Sequence, residues 1–146
     1  MTTPVVVGIK ETGNSRAALR LAAQEARYRD ATLIAVMAYG GNPALGAPAG
    51  RPVAASLTAD DERLTAEWAL GDALADALGD QAGRVERRLV PGQAGRSLVD
   101  VAHAAHAQLL VLAGGGTASV LPGTTSQYVL RKAPCPILIV PDEETA

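Results

Sequence analysis

The chain has 146 residues and a formal net charge of −2, and this length fits one domain that buries a core without disulfides or a structural metal. Its 13 basic and 15 acidic residues are interleaved, which argues against a nucleic-acid surface. The single cysteine, Cys135, excludes an internal disulfide, and no signal-like leader or membrane-length apolar run occurs. We therefore expect one cytoplasmic domain over residues 1–146, with neither nucleic acid nor membrane as a partner.

The first part of the chain alternates short apolar runs with an amphipathic segment. Residues 5–9 are mostly β-branched and predict a strand buried on both faces, and residues 33–37 predict a second strand. Residues 15–29 between them predict a helix, with Asn14 or Ser15 as its cap. The residues expected on its buried face are Leu19, Ala22, Ala23 and Ala26.

A long connection and a second helix are expected next. Residues 40–56 contain several glycines and prolines and hardly a core-forming side chain, which predicts a long flexible loop. Thr58, with Asp61 three residues later, resembles a capping box and predicts a helix from Thr58 to about Leu78, ended by Gly79. The face expected to be buried consists of Leu64, Trp68, Ala75 and Leu78.

The remainder of the chain continues the alternation. The run VERRLV, residues 85–90, predicts an edge strand, because its charges exclude burial on both faces. Pro91 and Gly92 predict a turn before a helix over residues 97–106. Strand Leu109–Ala113, helix Thr124–Lys132 and strand Ile137–Val140 complete the set of predicted elements. Strands separated by helices imply an α/β domain with a doubly wound parallel sheet.

The stretch LVLAGGGTASVLPGTT, residues 110–125, is the strongest candidate for a binding site. Glycines let backbone N–H groups approach an anion, and hydroxyls at a helix start can touch phosphate oxygens, although the same residues also suit a tight turn before a capped helix. Ligands of doubly wound sheets bind beyond the carboxyl ends of the strands, where the exits of the first and fourth strands would meet. The candidate nucleotide contacts are Ile9, Lys10, Gly114, Gly115, Gly116, Gly123, Thr124, Thr125 and Ser126.

Other reactive side chains favour structural roles. His103 and His106 lack a third metal ligand and are expected on a solvated helix face, so no metal site is predicted. Cys135 is expected to be a buried structural thiol. Neither a P-loop nor a catalytic triad is present, and we expect no enzyme, with slow nucleotide hydrolysis by Glu11 or Asp100 as the enzymatic alternative.

The order of four segments resembles the universal stress proteins over nearly the whole chain. These are VVVGI, SRAALRLAAQEA, LLVLAGGG and GTTSQYVLRKAPCPILIVP, and the C-terminal stretch from Gly123 to Val140 is the most specific part. The resemblance implies a five-stranded parallel sheet in the order 3-2-1-4-5, helices on both faces, and homodimers. Such a dimer would form through the last strand, Ile137–Val140.

The resemblance also implies an ATP site, which this chain alters. Many members bind ATP through Gly, two residues, Gly, nine residues, and Gly followed by Ser or Thr. Here Ala113 replaces the first glycine, and only six residues separate Gly116 from Gly123. Lys10 stands where the family commonly has Asp, and Glu11 where it has Gly. The resulting hypothesis is a stress-response protein with ATP or another adenine nucleotide as a regulatory ligand. The alternative is a dimeric interaction module without a nucleotide.

Overall fold

The fold is one five-stranded parallel sheet, seen in a computed structural model that describes residues 3–10, 15–40, 59–114 and 124–141. The strands are β1 (Val5–Gly8), β2 (Leu33–Gly40), β3 (Glu86–Gly92), β4 (Leu109–Ala113) and β5 (Ile137–Val140). The helices are α1 (Arg16–Tyr28), α2 (Ala59–Leu78), α3 (Ala94–Ala105) and α4 (Thr124–Lys132), with a 3-10 helix (Gly79–Arg84) after α2. The strand order is β3-β2-β1-β4-β5 with every pair parallel, as predicted.

Two apolar layers enclose the sheet, so helices cover both faces as predicted. Alternate strand residues such as Val5 and Val7 pack with α1 and α2, whereas Val6 packs with α3 and α4. All of β1 and β4 is buried, because each lies between two strands and two helix layers. The predicted face of α1 is confirmed, with Leu19, Ala22 and Ala26 buried and Ala23 partly buried.

The charged strand β3 lies at one edge of the sheet, as its sequence predicts. Glu86, Arg87 and Arg88 are exposed. The predicted turn at Pro91 and Gly92 is wrong, because both residues continue β3 and pair in register with Tyr39 and Gly40. Proline lacks a backbone N–H group, and an edge strand tolerates this because the N–H groups on its outer side have no neighbouring strand to bond to.

The predicted buried face of α2 is also wrong. Leu64 and Trp68 are 53% and 69% exposed, and Ala75 is exposed as well. Of the predicted four, Leu78 alone packs partly against the core. The buried residues are Ala66, Leu70, Leu74 and Ala77. This row is offset by two positions from the predicted one, about 200° around the helix, and its alanines allow close packing that a tryptophan would prevent.

Two further boundaries differ from prediction, and the predicted end of α2 is confirmed. Strand β2 runs to Gly40, so the predicted loop over residues 40–56 lies otherwise outside the described residues, as does Thr58 of the capping box. Helix α3 begins at Ala94 rather than Ser97. Gly79 does end α2, with a φ of +55° that suits glycine, but the chain continues there as a 3-10 helix.

Two leucines of α2 test the corrected face. We expect Leu74→Ala to lower the free energy of unfolding by about 2–5 kcal/mol, because Leu74 is fully buried between α2 and the sheet. The matched change Leu64→Ala should alter it by no more than about 0.5 kcal/mol, since that side chain is exposed. Urea unfolding of both variants measures the difference, and equal losses would contradict this packing of α2.

Candidate functional site

The exits of β1 and β4 meet at the carboxyl edge of the sheet. The two strands are paired neighbours, with Gly8 opposite Leu112. Directly beyond them, the Lys10 ammonium group donates a hydrogen bond of 3.0 Å to the carbonyl oxygen of Gly114. Two segments that are 104 residues apart in the sequence are thereby joined at one edge. The structure thus brings together two of the residues that the sequence proposed for one crevice.

The backbone on both sides of this contact is held in place. The Ile9 N–H donates to the Val36 carbonyl at 2.8 Å, and the Lys10 N–H donates to the Ser15 hydroxyl at 3.1 Å. Ser15 was a predicted cap of α1, but that helix has no side-chain cap bond, and the buried hydroxyl orients the exit of β1 instead. The Ile9 side chain belongs to the core, so a ligand at this edge would meet the Ile9 backbone.

Gly114 links the exit of β4 to β5. Its N–H donates to the Val140 carbonyl at 2.6 Å. A β-carbon at this position would lie 3.3 Å from Cγ2 of Ile139 and 3.4 Å from the Val140 oxygen, so a larger residue would crowd β5. Gly114 is therefore fixed by β5 through its N–H and by Lys10 through its carbonyl. Of the glycines that follow, Gly115, Gly116 and Gly123 lie outside the described residues.

Helix α4 begins at the same edge of the sheet. Because α4 leads into β5, which is parallel to the other strands, its N-terminus must lie at their carboxyl ends. Thr124 is its first residue, Thr125 is half-buried, and Ser126 is 5% exposed. The first N–H groups of a helix have no partner within the helix and carry its positive pole. An anion at this edge would be stabilised by those groups.

The sequence did not identify the start of α3 as part of this edge. A β-carbon on Gly95 would lie 3.1 Å from Cβ of Tyr128 and 3.4 Å from the Thr125 carbonyl oxygen, so α3 and α4 touch through their first turns. The predicted helix begins only at Ser97 and so leaves out Gly95, a residue type that disfavours helix interiors. The sequence AGRS, residues 94–97, was a signal for this contact, because a small residue directly after a strand permits close approach of another helix.

The other side chains considered from the sequence lie apart from this contact. His103, His106 and Asp100 are exposed on or just after α3. Cys135 is half-buried rather than buried, and its partial burial raises the pKa of its thiol above the ordinary value. Within the described ranges, no group of three or more His, Cys, Asp or Glu side chains could hold a metal. No helix in those ranges has the length and apolarity needed to cross a membrane.

Comparisons with known proteins agree with this architecture. The universal stress protein UspA from Lactobacillus plantarum has 23% identity and a TM-score of 0.70, with 96% of this chain and 99% of that chain covered. A universal stress protein in complex with cAMP has 25% identity and a TM-score of 0.64, with coverages of 96% and 98%. The universal stress protein from Archaeoglobus fulgidus in complex with dAMP has 24% identity and a TM-score of 0.65, with coverages of 94% and 97%.

Sequence profiles give the family directly. No curated protein sequence matched significantly. The profile of the universal stress protein family, in contrast, matches residues 1–141, which is nearly the whole chain. Together with the strand order and the structural similarity, this match shows that the chain belongs to the universal stress protein family.

Proposed function

We propose that the protein binds an adenine nucleotide as a regulatory ligand at the carboxyl edge of the sheet and acts in a cytoplasmic stress response. The observation that carries this proposal is the bond from Lys10 Nζ to the Gly114 carbonyl. It places a cation and the first residue of the glycine-rich segment at the edge where α4 begins. This is the topological switch point, where doubly wound sheets bind ligands.

Two similar proteins support the choice of ligand. One universal stress protein of this fold is in complex with cAMP and another with dAMP, both of which combine adenine with a phosphate group. The phosphate group suits the N-terminal N–H groups of α4. Thr125 and Ser126 add two hydroxyls in the first turn of that helix.

The charge at residue 10 determines which part of the ligand this chain can satisfy. An aspartate accepts hydrogen bonds from base or ribose donors, whereas a lysine donates them and attracts anions. Lys10 therefore favours a phosphorylated ligand over a neutral nucleoside. Six residues between Gly116 and Gly123, instead of nine, offer fewer backbone donors for a long phosphate chain. Together the two changes favour a ligand that carries a phosphate group but no long phosphate chain, such as AMP or a cyclic nucleotide.

A regulatory ligand fits the site better than a substrate. Hydrolysis needs a base within hydrogen-bond reach of the attacking water. Asp100, one of the two acidic candidates, is exposed and lies about 9 Å along the axis from the start of α3. Glu11, the other, lies outside the described residues. The proposed role is therefore binding without turnover.

A second candidate function is self-association through β5. This edge strand pairs with β4 on one side, and Ile139 is 38% exposed. Leu130 on the neighbouring helix α4 is 52% exposed. A short apolar edge strand offers unpaired N–H and C=O groups to another copy. We propose a symmetric homodimer formed by Ile137–Val140 of two chains, with or without bound nucleotide.

Isothermal titration with AMP, ATP, cAMP and adenosine tests nucleotide binding. We expect dissociation constants on the order of micromolar for the nucleotides and weaker binding of adenosine, which lacks the phosphate. Lys10→Glu should weaken nucleotide binding about tenfold or more, because it places an anion beside the phosphate position. Lys132→Glu is the matched control, since this exposed lysine ends α4 near the amino-terminal ends of the strands, away from the proposed site. Absence of heat with every nucleotide would refute the proposal, and equal effects of the two variants would remove Lys10 from the site.

Light scattering at tens of micromolar protein tests the dimer. The unchanged chain should have twice the monomer mass, and Ile139→Lys should reduce it to the monomer mass, because charges at a sheet edge oppose pairing. Leu64→Lys, on the exposed face of α2, should remain dimeric. A monomeric unchanged chain at this concentration would argue against pairing through β5.

A further inference from the structure

The starts of α3 and α4 form a pair of adjacent positive poles. Helix α3 begins at Ala94, directly after β3 and Gln93, and Gly95 lies against the Thr125 carbonyl and Tyr128 of α4. Each helix start carries a partial positive charge of about half an elementary charge. Two such poles repel each other, so an anion held beside both would stabilise their juxtaposition.

The start of α3 has no side-chain cap. Gln93 at the N-cap position makes no capping bond, and the first bond within the helix runs from the Ser97 N–H to the Gln93 carbonyl at 2.9 Å. The N–H groups of Ala94, Gly95 and Arg96 therefore have no partner within the helix. Arg96 in this turn is exposed and adds a full positive charge.

A buried hydroxyl points toward the same place. Ser97 is 4% exposed, and its hydroxyl has no hydrogen-bond partner among the described residues. Ser97 Oγ lies 3.7 Å from the position that a β-carbon on Gly92 would take, so the hydroxyl is directed back toward the end of β3. Apart from the chain neighbours Pro91 and Gln93, no other described residue comes within 4 Å of that position. Buried hydroxyls normally have partners, which makes an exception a pointer to a bound group.

Ser126 of α4 repeats this feature. It is 5% exposed, and no hydrogen bond of its hydroxyl occurs among the described residues. It precedes the fully buried Val129 by three residues and so faces the sheet from the first turn of its helix. Two adjoining helix starts therefore each hold one buried serine without a described partner.

We propose that the start of α3 is an oxyanion subsite that takes a phosphoryl group, with the N–H groups of Gly95 and Arg96 and the Ser97 hydroxyl as donors. The subsite deepens the proposed function and rests on it, because it names a second helix start that receives the phosphate end of the nucleotide. It also supplies donors that the shortened segment between Gly116 and Gly123 lacks. The ligand class is a phosphate monoester or diester small enough to lie between two helix starts.

Backbone amide NMR during titration with inorganic phosphate, and then with AMP, tests this subsite. At constant ionic strength, phosphate should shift the amide resonances of Gly95, Arg96 and Ser97 in parallel with those of Thr125 and Ser126. Ser97→Ala should weaken phosphate binding about tenfold, the effect of losing one hydrogen bond to a charged group. Arg96→Gln, an exposed position that leaves the fold intact, should weaken it and reduce its dependence on salt.

The outcomes separate the subsite from the proposed function. Nucleotide binding that moves the resonances of Thr125 and Ser126 while those of Gly95 to Ser97 stay in place would overturn the subsite and leave the proposed function standing. Unchanged phosphate affinity in both Ser97→Ala and Arg96→Gln would also overturn it. Phosphate binding at α3 without binding of any adenine nucleotide would support the subsite and refute the proposed function. Binding of neither would refute both.

Discussion

The whole arrangement depends on β1 lying at the centre of a parallel sheet. Its residues are buried because β2 and β4 flank it and helices cover both faces. The winding of the chain reverses at β1, so the crossovers leave in opposite directions from its carboxyl end and open a gap there. The bond from Lys10 to the Gly114 carbonyl crosses this gap and joins the exits of β1 and β4. Of the groups assigned to the site, Lys10, Gly114 and the start of α4 are described, and they lie at this edge.

Small residues determine how closely the helices approach that edge. Gly95 permits contact with Tyr128 and with the backbone of Thr125, and Gly114 permits contact with β5. On the opposite face of the sheet, Ala66 and Ala77 bring α2 against the core. A chain without phenylalanine and rich in alanine packs by short distances between elements rather than by large side chains.

The charge arrangement favours anions over neutral ligands. Helix starts contribute partial positive charge, and Lys10 and Arg96 add full positive charges among the described residues near them. In a family whose members commonly carry an aspartate at the first strand exit, this exchange of sign changes the donor and acceptor pattern of the site. In the proposed nucleotide site, this exchange favours recognition of the phosphate over that of the base and ribose. The chain as a whole remains slightly acidic, so the attraction is local.

Elements whose residue pattern favours one structure could be predicted from the sequence. A short apolar run such as Leu109–Ala113 suits the interior of a parallel sheet, and the charges of VERRLV suit its edge. The prediction that the exit of β1 faces the segment after β4 follows from parallel connections, and Lys10 and Gly114 do lie together. The order of the strands came from the family resemblance and not from these patterns.

Other features could be seen only in the folded chain, because they depend on which distant segment packs against a residue. Helix α2 offers two apolar rows, and the close fit of alanine against the sheet selected the row with Leu70 and Leu74 and left Trp68 exposed. Ser15 orients the exit of β1 instead of capping α1, because the Lys10 N–H competes for its hydroxyl. Gly95 lies in the first turn of α3, where α4 packs closely against it. A local pattern limits the structures that a segment can form. Contacts between distant segments then select the arrangement that leaves the fewest voids and unpaired polar groups.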